Sequence, residues 1–455
     1  MRIFIGLTEV SGYYSNLKKG FEEMGIPTAY VSLYAHPFKY GEVEEQWWLP
    51  RLARYCVQRR ISRLSAGLPV RVFWLVAVTW SRFLLFIWAL WQFDAFIMGG
   101  GSSFFGFREF PILKLFRKRI VYMFHGTDSR PGYMDGFCED VSRLSPRTFE
   151  DLYHASSQDS DANEEVALRL SGYLQATHRR KTNVMRVEKY ADVSVNHPAH
   201  GHFHTRPFVP SVIVGLPYHF KAVSPTSRDS GRESVRVLHS PSHPEGKGTI
   251  YIRAAIEKAK AKGLEIDYVE ITGRPNTEVL AELQRCDFVV DQAFSDYPMA
   301  AFAMEAAFFA KPAIVGGYYA DRIGKDIPLE YVPPTLFCHP DQLAEAIAKL
   351  ATDVPFREDL GARAQAFVER RWVAREVAGR YLKLLQGDIP QDWYFNPENI
   401  QYVQGMGQPE ARTGAIVRAL VERHGRTALF LRHQPALEQR FLDFAFESKS
   451  TATAS

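Results

Sequence analysis

At 455 residues the chain exceeds what one hydrophobic core organises and suits two domains plus an extension. Its 46% apolar content excludes a disordered polymer, and a net charge of only +4 gives no footprint for nucleic acid. The four cysteines, Cys56, Cys138, Cys286 and Cys338, lie far apart with no CxxC pair and no zinc-ligand spacing, which predicts reduced, structural thiols in a cytoplasmic protein.

The chain enters a strand at once. Arg2 to Leu7 reads as a buried strand with no apolar signal core before it, so a secreted product is not expected. TEVSG, ending at Gly12, reads as a loop, Tyr13 to Met24 as a helix and TAYVSLY as the next strand, an opening of Rossmann type. No GxGxxG follows the first strand, which weakens a dinucleotide reading. Gly99 to Gly101 follow a later strand but lack the third glycine at its place, and they read as a turn at a cleft.

Residues 46–93 hold seven arginines and no acid. The second half, VFWLVAVTWSRFLLFIWALWQF, is long enough to suggest a membrane span, yet Arg82 in its middle argues against simple crossing. Trp47, Trp48, Trp74, Trp80, Trp88 and Trp91 suit a membrane interface. Three readings stay open here: one or two buried helices of the first domain, monotopic contact with a membrane surface, and a span.

Lys114 to Phe124 reads as a basic turn and a strand, with His125 opening the loop HGTDSR, and Tyr190 to Asn196 as a further strand. His197, His200, His202 and His204 follow in NHPAHGHFH, a proline- and glycine-rich connector with no carboxylate or thiol inside it. A surface loop is expected there rather than a metal site. A linker is expected between Val214 and Ser234, in the polar stretch SPTSRDSGRES.

From Val235 strands and helices alternate: VRVLHS, the turn PSHPEGKGT, the helix IYIRAAIEKAKAKG, then YVEITG, TEVLAELQRC, DFVVDQ and MEAAFFA. Such alternation predicts an α/β fold with a parallel, doubly wound sheet, whose ligand lies beyond the strand carboxyl ends. Ser240 to Lys247, Gly273 to Pro275 and Asp291 to Glu305 all fall there. An ammonium and helix N-termini suit a diphosphate, and a carboxylate suits a ribose diol, which is the chemistry of a sugar nucleotide. Helices resume from Asp341 to Leu385, and two amphipathic patterns precede the polar tail SKSTATAS. The expected division is 1–220, 232–387 and a helical extension over 388–455.

The order HSPSHPEGKGT, ITGRP, DFVVDQ and AMEAAFFAKPAIVGG resembles the phosphate turn, glycine turn, buried strand and "EAMAxGKPVI" element of the large retaining GT-B glycosyltransferases. FDAFIMGGG and LKLFRKRIVYMFHGTDSRP resemble that family's acceptor-domain loop with its active-site histidine. The resemblance implies two Rossmann-like domains facing a cleft and a nucleotide-sugar donor held mainly by the second. It implies transfer with retention to a glycan or lipid-linked acceptor at the inner face of a bacterial membrane, and no cofactor or metal. By the same resemblance, Gly12, Ser242, Lys247, Gly273, Arg274, Tyr297, Pro298, Met299, Ala300 and Glu305 would contact the donor, with His125, Asp128 and Arg130 at the reacting centre. Two family positions differ. Tyr297, beside Asp296, stands where a second glutamate is common, and Ser240, Ser242 and His243 stand where an arginine is usual.

Read from the residues alone, Lys247 is equally a solvated turn lysine and Glu305 a core carboxylate with an internal donor. His125 is equally a loop cap, and Asp128 with Arg130 an internal brace. Two other functions therefore remain in view: a catalytically silent relative that binds nucleotide sugar or a partner enzyme, and a sugar-nucleotide epimerase.

Overall fold

The computed structural model describes residues 1–34, 47–138, 147–219 and 234–447. The central part of the expected linker and the SKSTATAS tail lie outside them. The first domain runs β1 (Ile3–Leu7), α1 (Tyr13–Glu23), β2 (Thr28–Ser32), α2 (Trp48–Ser62), α3 (Leu68–Gln92), β3 (Ala95–Gly99), α4 (Phe110–Leu115) and β4 (Arg119–Met123). It continues with α5 (Phe149–Ala155), α6 (Ser160–Tyr190), β5 (Val193–Asn196), β6 (Val209–Pro210) and α7 (Ser211–Val214). Its six strands lie in the order β2-β1-β3-β4-β5-β6, all parallel. Central strands such as FIGL and FIM are apolar on both faces because helices cover both sides.

The second domain runs β7 (Val235–His239), α8 (Pro244–Lys247), α9 (Thr249–Ala261), β8 (Ile266–Glu270), α10 (Asn276–Arg285), β9 (Phe288–Val290), α11 (Ala301–Phe308), β10 (Ala313–Gly316), α12 (Ile323–Asp326), β11 (Leu336–Cys338), α13 (Leu343–Thr352) and α14 (Val354–Arg371). Its sheet, β11-β10-β9-β7-β8, is also parallel, and the strand order reverses between β7 and β9. The expected α/β architecture of two parallel sheets with a helical C-terminal part is the one observed.

After α14 the chain crosses back. Helix α15 (Ala374–Gln386) packs on α1, and its Val377, Ala378, Tyr381 and Leu384 belong to the core of the first domain. The Tyr13 and Tyr381 hydroxyls meet at 2.9 Å. The residues from Asp388, with α16 (Glu410–His424) and α17 (Pro435–Glu447), then cover the first domain and tie the two together. The Met406 amide donates to Met134 O at 2.9 Å on one side, and the Gly407 amide to Phe294 O at 2.8 Å on the other.

The histidine cluster is a correction to the surface loop expected from composition. His197, His200, His202 and His204 are all fully buried. The loop leaves β5 at its carboxyl end, where the C-terminal extension closes over it. Tyr402 O lies 2.7 Å from His202 Nε2, and Gln434 Nε2 donates to the carbonyls of His202 and His204. Among the described residues no group of His, Cys, Asp and Glu is arranged to hold a metal ion.

The segment before β3 also differs from a buried core pair. Helices α2 and α3 form a hairpin whose residues 58–77 are exposed or half-exposed throughout.

Candidate active site

Two adjoining cavities lie between the carboxyl edges of the sheets, and Ser11, Ala300 and Ala301 border both. The first, about 350 Å³, is walled by Ser240, Ser242, Lys247, Gly273, Arg274, Asn276 and Glu305 among others. Six of the expected donor contacts, Ser242, Lys247, Gly273, Arg274, Ala300 and Glu305, therefore share one cavity. The second, about 180 Å³, is lined mostly by apolar side chains and includes His125, Tyr297, Pro298, Met299 and Ala300. Gly12 lies on neither wall, although its neighbour Ser11 lies on both.

Glu305 sits in the second turn of α11 and is 7% exposed. Its Oε1 accepts from Asn276 Nδ2 at 3.1 Å, and among the described residues no donor is recorded on Oε2. Burial, reinforced by the nearby Asp291 and opposed by the Asn276 bond, pushes this carboxyl up to about 7. A diol that donates to the free oxygen would favour the carboxylate. Asn276 was not foreseen, though its place just past the Gly273 turn was a usable signal.

Lys247 ends α8, and its ammonium lies 3.2 Å from Asp291 Oδ1. Asp291 is buried, and its Oδ2 has no hydrogen-bond partner among the described residues. The turn that presents Lys247 needs Gly248 at φ 70, because a Cβ there would meet Ala293 Cβ at 2.7 Å. Arg274 is exposed on the wall and has no acidic partner among the described residues. Helix α11 opens at Ala300, whose side chain cannot cap it, and Ala300 and Ala301 line both cavities.

The start of α1 contrasts with this. Glu9 Oε1 accepts from the Val10 and Tyr14 amides, and its Oε2 from the Ser15 amide and the Tyr30 hydroxyl, at 2.8–3.1 Å. An internal carboxylate thus occupies the helix terminus beside Gly12, and of the two termini only that of α11 is left for an anion. Nothing local in TEVSG marked Glu9 for this role.

His125 follows β4 at the floor of the apolar cavity. Its Nε2 lies 3.0 Å from the Tyr14 hydroxyl, and Tyr13 and Tyr14 meet its ring edge-on. Burial, then the neighbouring His200, pulls the imidazole down to about 4, so it is neutral at pH 7. Gly99, at the end of β3, lets the Tyr14 hydroxyl approach, since a Cβ there would lie 2.0 Å away. The Gly99–Gly101 run is a turn that packs on Thr8, Tyr14 and Asp128 and lines neither cavity.

Asp128 and Arg130 do not pair with each other, which corrects the internal brace. The His125 amide donates to Asp128 Oδ2 at 3.0 Å, and burial raises this carboxyl to about 7. Arg130 is 1% exposed and lines neither cavity. Its Nη2 lies 2.7 Å from Asp296 Oδ2 and its Nη1 3.4 Å from Asp135 Oδ1, while Arg180 meets the other oxygen of Asp135 at 2.8 Å. His200 Nε2 is 2.9 Å from Asp296, and the Tyr402 hydroxyl donates to Asp296 Oδ1 at 2.8 Å. The Arg130 guanidinium, followed by His200 and Tyr402, holds the Asp296 carboxyl far below its ordinary range.

Asp296 and Tyr297 therefore face opposite ways. The Ser295 hydroxyl donates to Tyr297 O at 2.8 Å and accepts from the Tyr297 amide at 3.0 Å, pinning the turn. Asp296 points into the core between domains, and Tyr297 into the apolar cavity with its hydroxyl 3.1 Å from Ser211 Oγ.

No protein-family model matches the chain, and no curated protein does. Among solved structures, that of Anabaena HepE in complex with UDP is 12% identical, with 85% of this chain and 100% of that one covered at a TM-score of 0.44. Sucrose-phosphate synthase from Thermosynechococcus elongatus is 13% identical over 85% and 99%, with a TM-score of 0.43. The glycosyltransferase of kitacinnamycin is 11% identical over 84% and 98%, with a TM-score of 0.41.

Proposed function

We propose that this protein transfers a glycosyl unit from a nucleoside diphosphate sugar to an acceptor, with retention of configuration. The observation that carries the reading is the polar cavity, which holds a half-satisfied buried carboxylate, Glu305, together with Lys247, Arg274 and the uncapped start of α11. A ribose diol donates to Glu305 and the diphosphate lies against the cations and amides. The sugar then enters the adjoining cavity at His125. Electrostatic support of the departing diphosphate is the largest catalytic contribution, and its charge is met by protein groups.

Retention is supported by what lines that second cavity. Among the described residues, none on its walls is an aspartate or glutamate. With Asp296 turned inward and His125 a weak base at pH 7, no strong general base for attack from the opposite face lines this cavity among the described residues. The acceptor then attacks from the side of the leaving diphosphate. His125 acts as a neutral hydrogen-bonding group to the sugar. We further propose a glycan or lipid-linked acceptor in surface polysaccharide assembly, met by a cytoplasmic protein peripheral to the inner face of the membrane.

Calorimetric titration with a panel of nucleoside diphosphates, followed by incubation with the matching labelled nucleotide sugars, tests this. Binding of one base with slow donor hydrolysis supports the transferase. Binding without turnover on any donor points to the silent relative, and release of a free epimeric sugar points to an epimerase. Absence of binding by every nucleotide removes the reading.

A further inference from the structure

Helix α3 is predominantly apolar, with a mean hydropathy of 1.8 in its most apolar window, yet only 28% of that window is buried. Val78, Ser81, Leu85, Phe86, Ala89 and Leu90 face the domain. On the opposite side Val72, Phe73, Val76, Trp80, Phe83, Leu84 and Trp91 stand 44–66% exposed. Their spacing of three, four and seven residues makes one stripe along the helix. Trp48, Leu64 and Leu68 extend it, at 60%, 60% and 70% exposed.

The hairpin that carries the stripe is also strongly basic. Arg51, Arg59, Arg60, Arg63 and Arg71 are exposed, and no Asp or Glu occurs from Trp47 to Phe93. A protein partner with an apolar groove would not require so one-sided a charge. The hairpin also has a fixed level. Arg54 Nε donates to Ser32 O at the carboxyl end of β2, and Arg82 reaches Ser103 O just past β3. Residues 58–77 thus project beyond the carboxyl edge of the sheet, on the side of the cleft.

We propose that the outer face of the α2–α3 hairpin docks on an anionic lipid bilayer. The stripe enters the acyl boundary while the arginines meet lipid phosphates. Leu85, Phe86 and Leu90 keep α3 packed on the sheet, at 0–4% exposed, so the helix lies along one leaflet and does not cross it. This surface is separate from the nucleotide cavity, so its failure leaves the glycosyl-transfer reading standing. If both hold, the cleft opens beside the lipid that carries the acceptor.

Flotation of the full-length protein with phosphatidylcholine vesicles, with and without phosphatidylglycerol, tests the docking. The expected result is co-flotation with the anionic vesicles, at least tenfold weaker with neutral ones, and falling as salt rises because screening shortens the attraction. The exposed triple substitution Phe73→Ser, Trp80→Ser and Phe83→Ser should lower partitioning at least tenfold with an unchanged thermal midpoint. Arg59→Gln, Arg60→Gln and Arg63→Gln together should remove the preference for anionic lipid. In the unsubstituted protein, brominated anionic lipid should quench tryptophan fluorescence. A protein that stays at the bottom of the gradient with both lipids, shows no quenching, or hides the stripe in a dimer dissociated by the triple substitution overturns the proposal.

Discussion

Along the carboxyl edge of the second sheet, Lys247, Arg274 and Glu305 stand on a cavity wall, each with hydrogen-bonding capacity left for a ligand. Along the same edge of the first sheet, Arg130, Asp135 and His200 turn away from the cleft and neutralise one another and Asp296. Both regions follow parallel strands and both concentrate charge. They differ in what covers them: the first is roofed by the C-terminal extension through Tyr402, and the second is open. Burial therefore separates charges that hold the two domains together from charges that can hold a substrate.

The comparison breaks most sharply at Arg130. Arg130→Met leaves Asp296 and Asp135 buried without their shared cation, and loss of one partner in such a site costs roughly 3–5 kcal/mol. Denaturant unfolding should show a loss of that size, while the folded fraction keeps its nucleotide affinity. A folded variant with normal stability and lost binding would move Arg130 into the site.

Acid should next expose the buried histidines. His125, His200, His202 and His239 are held near 4 by burial, so the unfolded chain takes up protons first as the pH falls below about 6.5 and stability drops. Glu305 and Asp128, raised to about 7, work the other way, because the folded state takes up their protons first as pH falls from about 7 toward 4. Between pH 7 and 5 each of these histidines costs about 2 kcal/mol and each carboxyl returns about as much, and because the histidines, joined by His197, outnumber the two carboxyls the net is a loss of stability. Urea midpoints at the two pH values measure it, and an unchanged midpoint would mean that the histidines are solvated.

Glu305→Gln sharpens the other side of the comparison. It should lower nucleoside diphosphate affinity about 10- to 100-fold, the size of a charged hydrogen bond of about 1.5–3 kcal/mol, with stability at pH 8 equal or higher. Affinity of the unsubstituted protein should rise as the pH passes upward through about 7, where the carboxylate forms, and this rise should vanish in the variant. A variant that keeps both affinity and pH profile would make Glu305 a core residue only.

The smallest effect belongs to Arg274. Exposed and screened, it should contribute up to about 1 kcal/mol, so Arg274→Ala weakens diphosphate binding about fivefold or less, with the difference fading at high salt. Loss of binding to a nucleoside without phosphate would contradict a role on the diphosphate.

The β/α alternation from Val235 was legible in the sequence because strand and helix periodicities are local, and a parallel sheet sends every βα turn to one edge. That logic alone brought Ser242, Lys247, Gly273, Arg274 and Glu305 to one cavity. It could not reach Asn276 or Asp291 as their partners, since a hydrogen bond depends on side-chain direction. The tertiary structure alone decided the rest. Arg130 meets Asp296 across 166 positions, and the histidine loop is buried by residues some 200 positions later. Which way Asp296 and Tyr297 face, and which side of α3 is left uncovered, depend on those distant contacts. Composition and periodicity record what a segment can bury; only the packing of the whole chain determines what it buries against.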